Sequence, residues 1–272
     1  MQKVNFNIHP AIEICVDNAQ SACAAEAGGA KRIELCNSLT EGGTTPSAGL
    51  IEVVRNSIDI DINVLIRPRR GDFLFSDMEF EIMKKDISMA KKLGADGVVL
   101  GILKKDGNVD MVRMQALIEH AMPMSITFHR AFDLTPDPLK ALDDLLHLKI
   151  DRLLTSGQQK TALLGANLIR ELILKADGKL IIMPGGGINP RNIRDIAKIT
   201  GAKEFHSSAL IKIESQMKFR KKDISMAKKQ ALSEFEIRIA DENRIKSMLE
   251  AVESSIELNH KEVKEIRELE NE

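Results

Sequence analysis

The sequence predicts an α/β fold, a (β/α)8 TIM barrel with a charged C-terminal helical extension. Strand-like and helix-like stretches alternate from Ala11 to about residue 210, and strict alternation is typical of a parallel sheet covered by helices. Eight such pairs in roughly 200 residues match a compact closed barrel. An open doubly wound sheet is the alternative, but no GxGxxG fingerprint follows the first strand.

Eight short, largely apolar stretches supply the predicted strands. We expect them at Ala11–Asp17, Arg32–Ser38, Ile62–Pro68, Gly97–Leu103, Ser125–Phe132, Arg152–Ser156, Lys179–Met183 and Glu204–Ser208. Helices are expected between them. A polar cap followed by proline is predicted to begin the helices at Thr45-Pro46, Asp137-Pro138 and Asn189-Pro190.

The barrel is predicted over residues 11–210, with an N-terminal extension at 1–10 and a mostly helical C-terminal extension at 211–272. Apolar residues from Ile245 to Ile266 follow a 4-3 spacing. That spacing fits a short coiled coil or a last helix packed on the barrel, and we favour the packed helix. We also expect the tail to matter more for assembly than for the barrel. A segment at 84–92 recurs identically at 221–229, and we have no physical account of this repeat.

Composition excludes several classes of partner. Net charge is −1, from 39 basic and 40 acidic residues, so no global field attracts nucleic acid or an anionic membrane. The chain has no Trp or Tyr to stack on single-stranded bases, and no apolar run reaches the ~20 residues that span a bilayer. Three cysteines without disulfide-framework spacing predict a reducing, cytoplasmic location.

One short phrase occurs twice near the start of the chain. Ile-Glu-Ile-Cys ending at Cys15 recurs as Ile-Glu-Leu-Cys ending at Cys36. Residues two apart on a strand share a face, so Glu13 and Glu34 should point into the barrel with the two cysteines. We expect the thiols to lie roughly 5–8 Å apart on adjacent strands. Soft thiolates favour Cu(I) or Zn(II), although buried free cysteines more often pack as small hydrophobic groups.

The same alternation predicts a polar interior near the C-terminal ends of the strands. Arg67 is predicted to face inward and to pair with Glu13 and Glu34, which alone would make a buried ion network without chemistry. His129 could act as an acid or base, and Arg130 could clamp an anion.

Three glycines close the seventh predicted strand. Gly185, Gly186 and Gly187 lie where barrels commonly hold phosphate, and His206 lies on the eighth strand beside them. A tight turn that requires positive φ is the alternative explanation of the glycines.

Several motifs in order resemble the CutC copper-homeostasis family. They lie at Glu13–Asp17, Arg32–Cys36, Glu41–Ser47, Ile66–Arg69, Gly71–Phe73, Thr127–Asp133, Leu154–Gly157, Met183–Gly187 and Glu204–His206. The resemblance runs from about Ala11 to Ala209. It implies a TIM barrel, a cytoplasmic setting, self-association and a role in handling copper. The two thiol ligands proposed for the family fall on Cys15 and Cys36.

Two functions follow from these patterns. The first is a cytoplasmic, homo-oligomeric Cu(I)-binding protein that uses Cys15 and Cys36, with Met183 or His206 as additional ligands. The second is a TIM-barrel enzyme acting on a small anionic or phosphorylated metabolite. There Glu13 or His129 would be the base, Arg67 and Arg130 would bind the anion with Glu34 and His206 nearby, and Gly185–Gly187 would cradle it.

Overall fold

A computed structural model describes residues 10–221 and 233–254, and its eight parallel strands form a nearly closed barrel with helices around it. This confirms the predicted fold class. The strands are β1 Ala11–Val16, β2 Arg32–Leu35, β3 Asp61–Leu65, β4 Gly97–Leu100, β5 Ser125–Phe128, β6 Arg152–Thr155, β7 Ile181–Pro184 and β8 Glu204–Ser207. Their order is β7-β6-β5-β4-β3-β2-β1-β8. An isolated parallel bridge between Gly185 and His206 joins the two ends of this order.

Eight α-helices of the described chain cover the outside of the barrel. They are α1 Ala19–Ala27, α2 Ala48–Arg55, α3 Asp77–Lys92, α4 Met111–Ala121, α5 Pro138–His147, α6 Ala166–Ala176, α7 Ile193–Thr200 and α8 at 242–254. Short 3-10 helices lie at Leu39–Glu41 and Arg130–Leu134. Among these described helices, none combines the length and apolar character that crossing a membrane would require.

The chain after β8 forms an antiparallel ribbon and then returns to the barrel. Strand β9 at Leu210–Glu214 pairs with β10 at Glu236–Ala240, where the sequence predicted a charged, mostly helical extension. In α8, Ile245, Met248 and Val252 are fully buried in the main core. Over 242–254 the helix therefore packs on the barrel, as we favoured.

Parts of the predicted extensions lie outside the described residues. They are 1–9, most of the repeat at 221–229, and 255–272, which carries the rest of the 4-3 spacing. The domain division at residue 210 stays a prediction. The first copy of the repeat lies in α3, where Ile87 and Ala90 are buried in the core.

Two predicted helix starts are displaced by two or three residues. Ser47 caps α2 by accepting from the amide of Leu50, whereas the Thr45 hydroxyl accepts from the amide of Arg67. Helix α7 begins at Ile193 after Asn192, because Asn189 and Pro190 belong to the preceding turn. The predicted cap at Asp137 is confirmed, since its carboxylate accepts from two amides of the first turn of α5.

Candidate metal and ligand site at the C-terminal end of the barrel

The repeated phrase places two thiols side by side inside the barrel. Cys15 on β1 is in register with Glu34 on β2, and Cys36 lies just beyond the end of β2. The Cys15 and Cys36 Sγ atoms are 3.7 Å apart and buried. This is shorter than the predicted 5–8 Å, because inward side chains of a closed barrel converge toward its axis. The third cysteine, Cys23, is exposed on α1, so it does not pack in the core.

His206 and Glu34 lie beside the thiol of Cys15. One ligand atom from each of Cys15, Glu34 and His206 lies within 4.8 Å of the others. The Nδ1 atom of His206 is 2.8 Å from the Glu13 carboxylate, and its Nε2 atom is 3.8 Å from Glu34 Oε2. A carboxylate that holds one imidazole nitrogen orients the other toward a metal.

The titration of these groups reflects their burial. The hydrogen bond with Cys36, burial and the charge of Glu34 together raise the pKa of the Cys15 thiol. Burial also raises the pKa of Glu34.

Glu13 belongs to an ion network beneath the thiols, which we call the floor network. Its members are Glu13, Arg32, Glu204 and Arg152. The Arg32 Nε atom donates to Glu13 at 2.6 Å, and Arg32 also pairs with Glu204. Glu204 in turn accepts from Arg152 at 2.9 Å. Burial raises the pKa of Glu13, but Arg32 and His206 outweigh it and lower that pKa to about 2. Glu13 is therefore an ionised structural partner.

The partner of Glu13 is Arg32 rather than the predicted Arg67. Arg32 lies two residues before Glu34 on β2, so the same alternation that turns Glu34 inward also turns Arg32 inward, and we missed this. Arg32 also donates to the Met183 sulfur at 3.3 Å. Met183 therefore lies with the floor network, and the structure does not bring it to the thiol pair as a ligand.

Arg67 binds loop backbone instead of carboxylates. Its guanidinium donates to the carbonyls of Gly42, Gly43 and Gly71 at 3.1, 2.7 and 2.9 Å, and it lies 5.1 Å from the centre of the Phe73 ring. The predicted pairing with Glu13 and Glu34 is wrong, because the glycine loop after β2 folds over Arg67 at the end of β3.

His129 is buried where β5 ends and a 3-10 helix begins. Its Nδ1 atom accepts from the amide of Ala131 at 3.2 Å, so the proton of the neutral ring lies on Nε2. Burial, followed by the charge of Arg67, lowers the pKa of His129 to about 3. At neutral pH this histidine is therefore a hydrogen-bond donor rather than a base.

One cavity of about 390 Å³ brings many of the predicted residues together. Those that line it are Cys15, Glu34, Arg67, His129, Arg130, Gly186, Gly187 and His206. Gly186 and Gly187 have φ of 103° and 76°. A turn that requires positive φ therefore accounts for both glycines, although both also line the cavity.

Three predicted site residues lie behind the wall of this cavity. Glu13 is in the floor network, and Cys36 is fully buried next to Cys15. Gly185 is packed so tightly that a Cβ would lie 2.3 Å from Leu154 Cδ1. Phe73 also lines the cavity and packs on both Arg67 and His129, and no sequence pattern indicated this.

Comparison with known proteins identifies the family of this chain. A model of the CutC family matches residues 10–211. The chain belongs to the CutC family. A human protein named copper homeostasis protein cutC homolog is 48% identical over 237 residues, which cover 87% of each chain. A family protein CutC of Parabacteroides distasonis is 49% identical over 239 residues, covering 88% of this chain and 98% of that protein.

Solved structures support the same assignment. The crystal structure of a CutC protein from Streptococcus agalactiae matches with a TM-score of 0.70 and 33% identity, covering 73% of this chain and 98% of that one. Phosphoribosylanthranilate isomerase from Thermotoga maritima matches with a TM-score of 0.54 at 13% identity. That likeness is one of barrel fold alone.

Proposed function

We propose that this CutC family member is a cytoplasmic Cu(I)-binding protein whose ligands are Cys15 and Cys36. The observation that carries the proposal is the pair of buried thiols with sulfurs 3.7 Å apart. Two metal–sulfur bonds of about 2.3 Å spanning this distance would meet at about 107°, close to the tetrahedral angle. A single ion could therefore join both sulfurs without a shift of the strands.

His206 supports a third bond to the same ion. Its Nδ1 atom is held by Glu13, which leaves Nε2 facing Glu34 and Cys15. Two thiolates and an imidazole form a soft donor set, which suits Cu(I) or Zn(II) far better than Mg²⁺ or Ca²⁺. The names of the relatives favour copper over zinc, and the metal must displace the thiol protons when it binds.

Competition against a coloured Cu(I) chelator under anaerobic, reducing conditions tests this proposal. Cys15→Ser and Cys36→Ser should each weaken binding at least about 100-fold, since each removes one of two thiolates. Cys23→Ser is the matched control, because Cys23 is exposed on α1, and it should bind as the wild type does. The same titration with Zn(II) measures the preference between the two ions. A Cys15→Ser/Cys36→Ser double variant that binds one equivalent as tightly as wild type would place the site elsewhere.

A further inference from the structure

We propose that the cavity beside the thiol pair binds a small organic oxyanion, whose carboxylate or phosphate group is held by Arg67 and His129. This goes beyond copper binding, because the groups involved are nitrogen donors just after β3 and β5 rather than the thiols on β1 and just after β2. Three features of the described residues carry the inference: a buried cation without an anionic partner, two unpartnered N–H groups, and one cavity that both side chains line.

The first feature is the uncompensated charge of Arg67. The residue is only 7% exposed, yet its hydrogen-bond partners are neutral carbonyls of the loops around it. Within the described ranges no carboxylate forms an ion pair with it, whereas Arg32 pairs with two and Arg69 pairs with Asp72 and Glu79. A buried charge without an opposite charge is unfavourable, and a bound anion would compensate it.

The second feature is a pair of N–H groups without acceptors. Arg67 Nε and His129 Nε2 are both buried and have no hydrogen-bond partner in the described part of the chain. The two side chains pack on the same ring, that of Phe73, whose centre is 4.7 Å from the imidazole centre and 5.1 Å from the guanidinium carbon. A buried donor without an acceptor is unfavourable. An oxyanion has enough lone pairs to accept from both, and hydrogen bonds to charged groups are the stronger kind.

The third feature is the cavity itself. Its volume of about 390 Å³ lies in the range of small-molecule sites, roughly 300–1,000 Å³. Arg130 and Gly186 also line the cavity. A Cβ on Gly186 would lie 3.3 Å from the Cβ of Ser156 and 3.4 Å from the Arg130 guanidinium, so a side chain at this position would crowd the cavity wall.

Anion binding can be measured separately from metal binding. The full-length Cys15→Ser/Cys36→Ser double variant is titrated with inorganic phosphate and, in a second arm, with acetate, at constant ionic strength. Calorimetry and the shift of the melting temperature are the readouts. We expect saturable binding of at least one anion. Whichever anion binds more tightly identifies the ligand group as phosphate or carboxylate.

Variants in this background test the two donors. His129→Phe keeps a ring but removes the N–H group, and should weaken binding at least about 10-fold. His129→Gln restores an N–H group and should recover part of the affinity. Arg67→Gln should weaken binding further, and circular dichroism shows whether it still folds. Arg70→Gln is the charge-matched control, because Arg70 is exposed and pairs with Glu41, and it should change affinity less than about 2-fold.

The outcomes separate this site from the copper site. Anion binding that persists without the two thiols supports the proposal whatever the copper titration shows. The absence of saturable binding of either anion up to about 100 mM would overturn it. So would binding by His129→Phe that is equal to binding by its parent.

Discussion

His129 is a histidine that the fold keeps neutral. Burial and then the nearby charge of Arg67 lower its pKa to about 3, whereas an unfolded chain would titrate near 6.5. Between these two values the unfolded state binds more protons than the folded state. The stability that His129 contributes is therefore complete above about pH 6.5 and is lost as pH falls toward 3.

The resulting prediction concerns the free energy of unfolding. Lowering the pH from 7 to 5 should remove about 2 kcal/mol of stability through His129 alone. Urea denaturation at both pH values measures this loss. The matched variant is His129→Gln, which cannot titrate. It should lose about 2 kcal/mol less than wild type between the two pH values, although its stability at pH 7 is lower. Equal losses in both proteins would contradict the assigned pKa.

Residue-level prediction from the sequence succeeded where strand alternation governs. Alternation alone placed Glu13, Cys15, Glu34 and Cys36 inside the barrel, because a period of two fixes the face. It also turned Arg67 inward, but it could not give the partners of Arg67, which are backbone carbonyls of glycine loops and leave no side-chain pattern. It also could not give the 3.7 Å between the sulfurs, which depends on the closure of the barrel.

Helix α8 packs against the end of α1 at a glycine. A Cβ on Gly28 would lie 2.7 Å from the Cβ of Ile245, and Ile245 is fully buried. The contact therefore needs a residue without a side chain on the α1 side.

This contact gives a prediction at the scale of the helix pair. Gly28→Val should lower the free energy of unfolding by about 1–3 kcal/mol, because overpacking a filled contact forces the two helices apart. Gly49→Ala in α2 is the control, since a Cβ there meets nothing within 4 Å. It should raise stability by about 0.5–1 kcal/mol. Chemical denaturation of both variants provides the measurement, and a Gly28→Val protein as stable as wild type would show that α8 does not press on α1.

Element types were predictable from sequence, but element ends were less so. The strands of the structure are shorter than the predicted stretches. Strand β5 ends at Phe128 rather than Phe132, because His129 caps a 3-10 helix over Arg130–Leu134. The cap of α2 fell on Ser47 because Thr45 already bonds to the neighbouring strand end. Such tertiary hydrogen bonds have no signature in a local pattern.

The whole molecule contains a barrel, a ribbon and a last helix, and truncation separates their contributions. A protein that ends at Ala240 should lose on the order of 5 kcal/mol of stability, because three buried apolar side chains of α8 are removed. This differs from our expectation that the tail matters little for the barrel. A protein that ends at Ser254 should keep the stability of the full chain.

The same truncations test self-association. We expect a homo-oligomer, a dimer or larger, and the apolar 4-3 spacing continues through Ile256, Val263 and Ile266. Light scattering should show fewer subunits per particle for the protein that ends at Ser254. An unchanged number of subunits would exclude residues 255–272 from the subunit contact.

The floor network also restricts which amino-acid substitutions this sequence can accept. Its two carboxylates and two guanidiniums alternate along one chain of contacts, Glu13, Arg32, Glu204 and Arg152. A single mutation at Glu13 or Arg32 would leave a buried neighbour without its opposite charge, which is destabilising by about 3–5 kcal/mol. Exposed helix positions can change one at a time. These network positions can change only when two partners are replaced together. We therefore expect substitutions to accumulate there far more slowly than at the exposed positions.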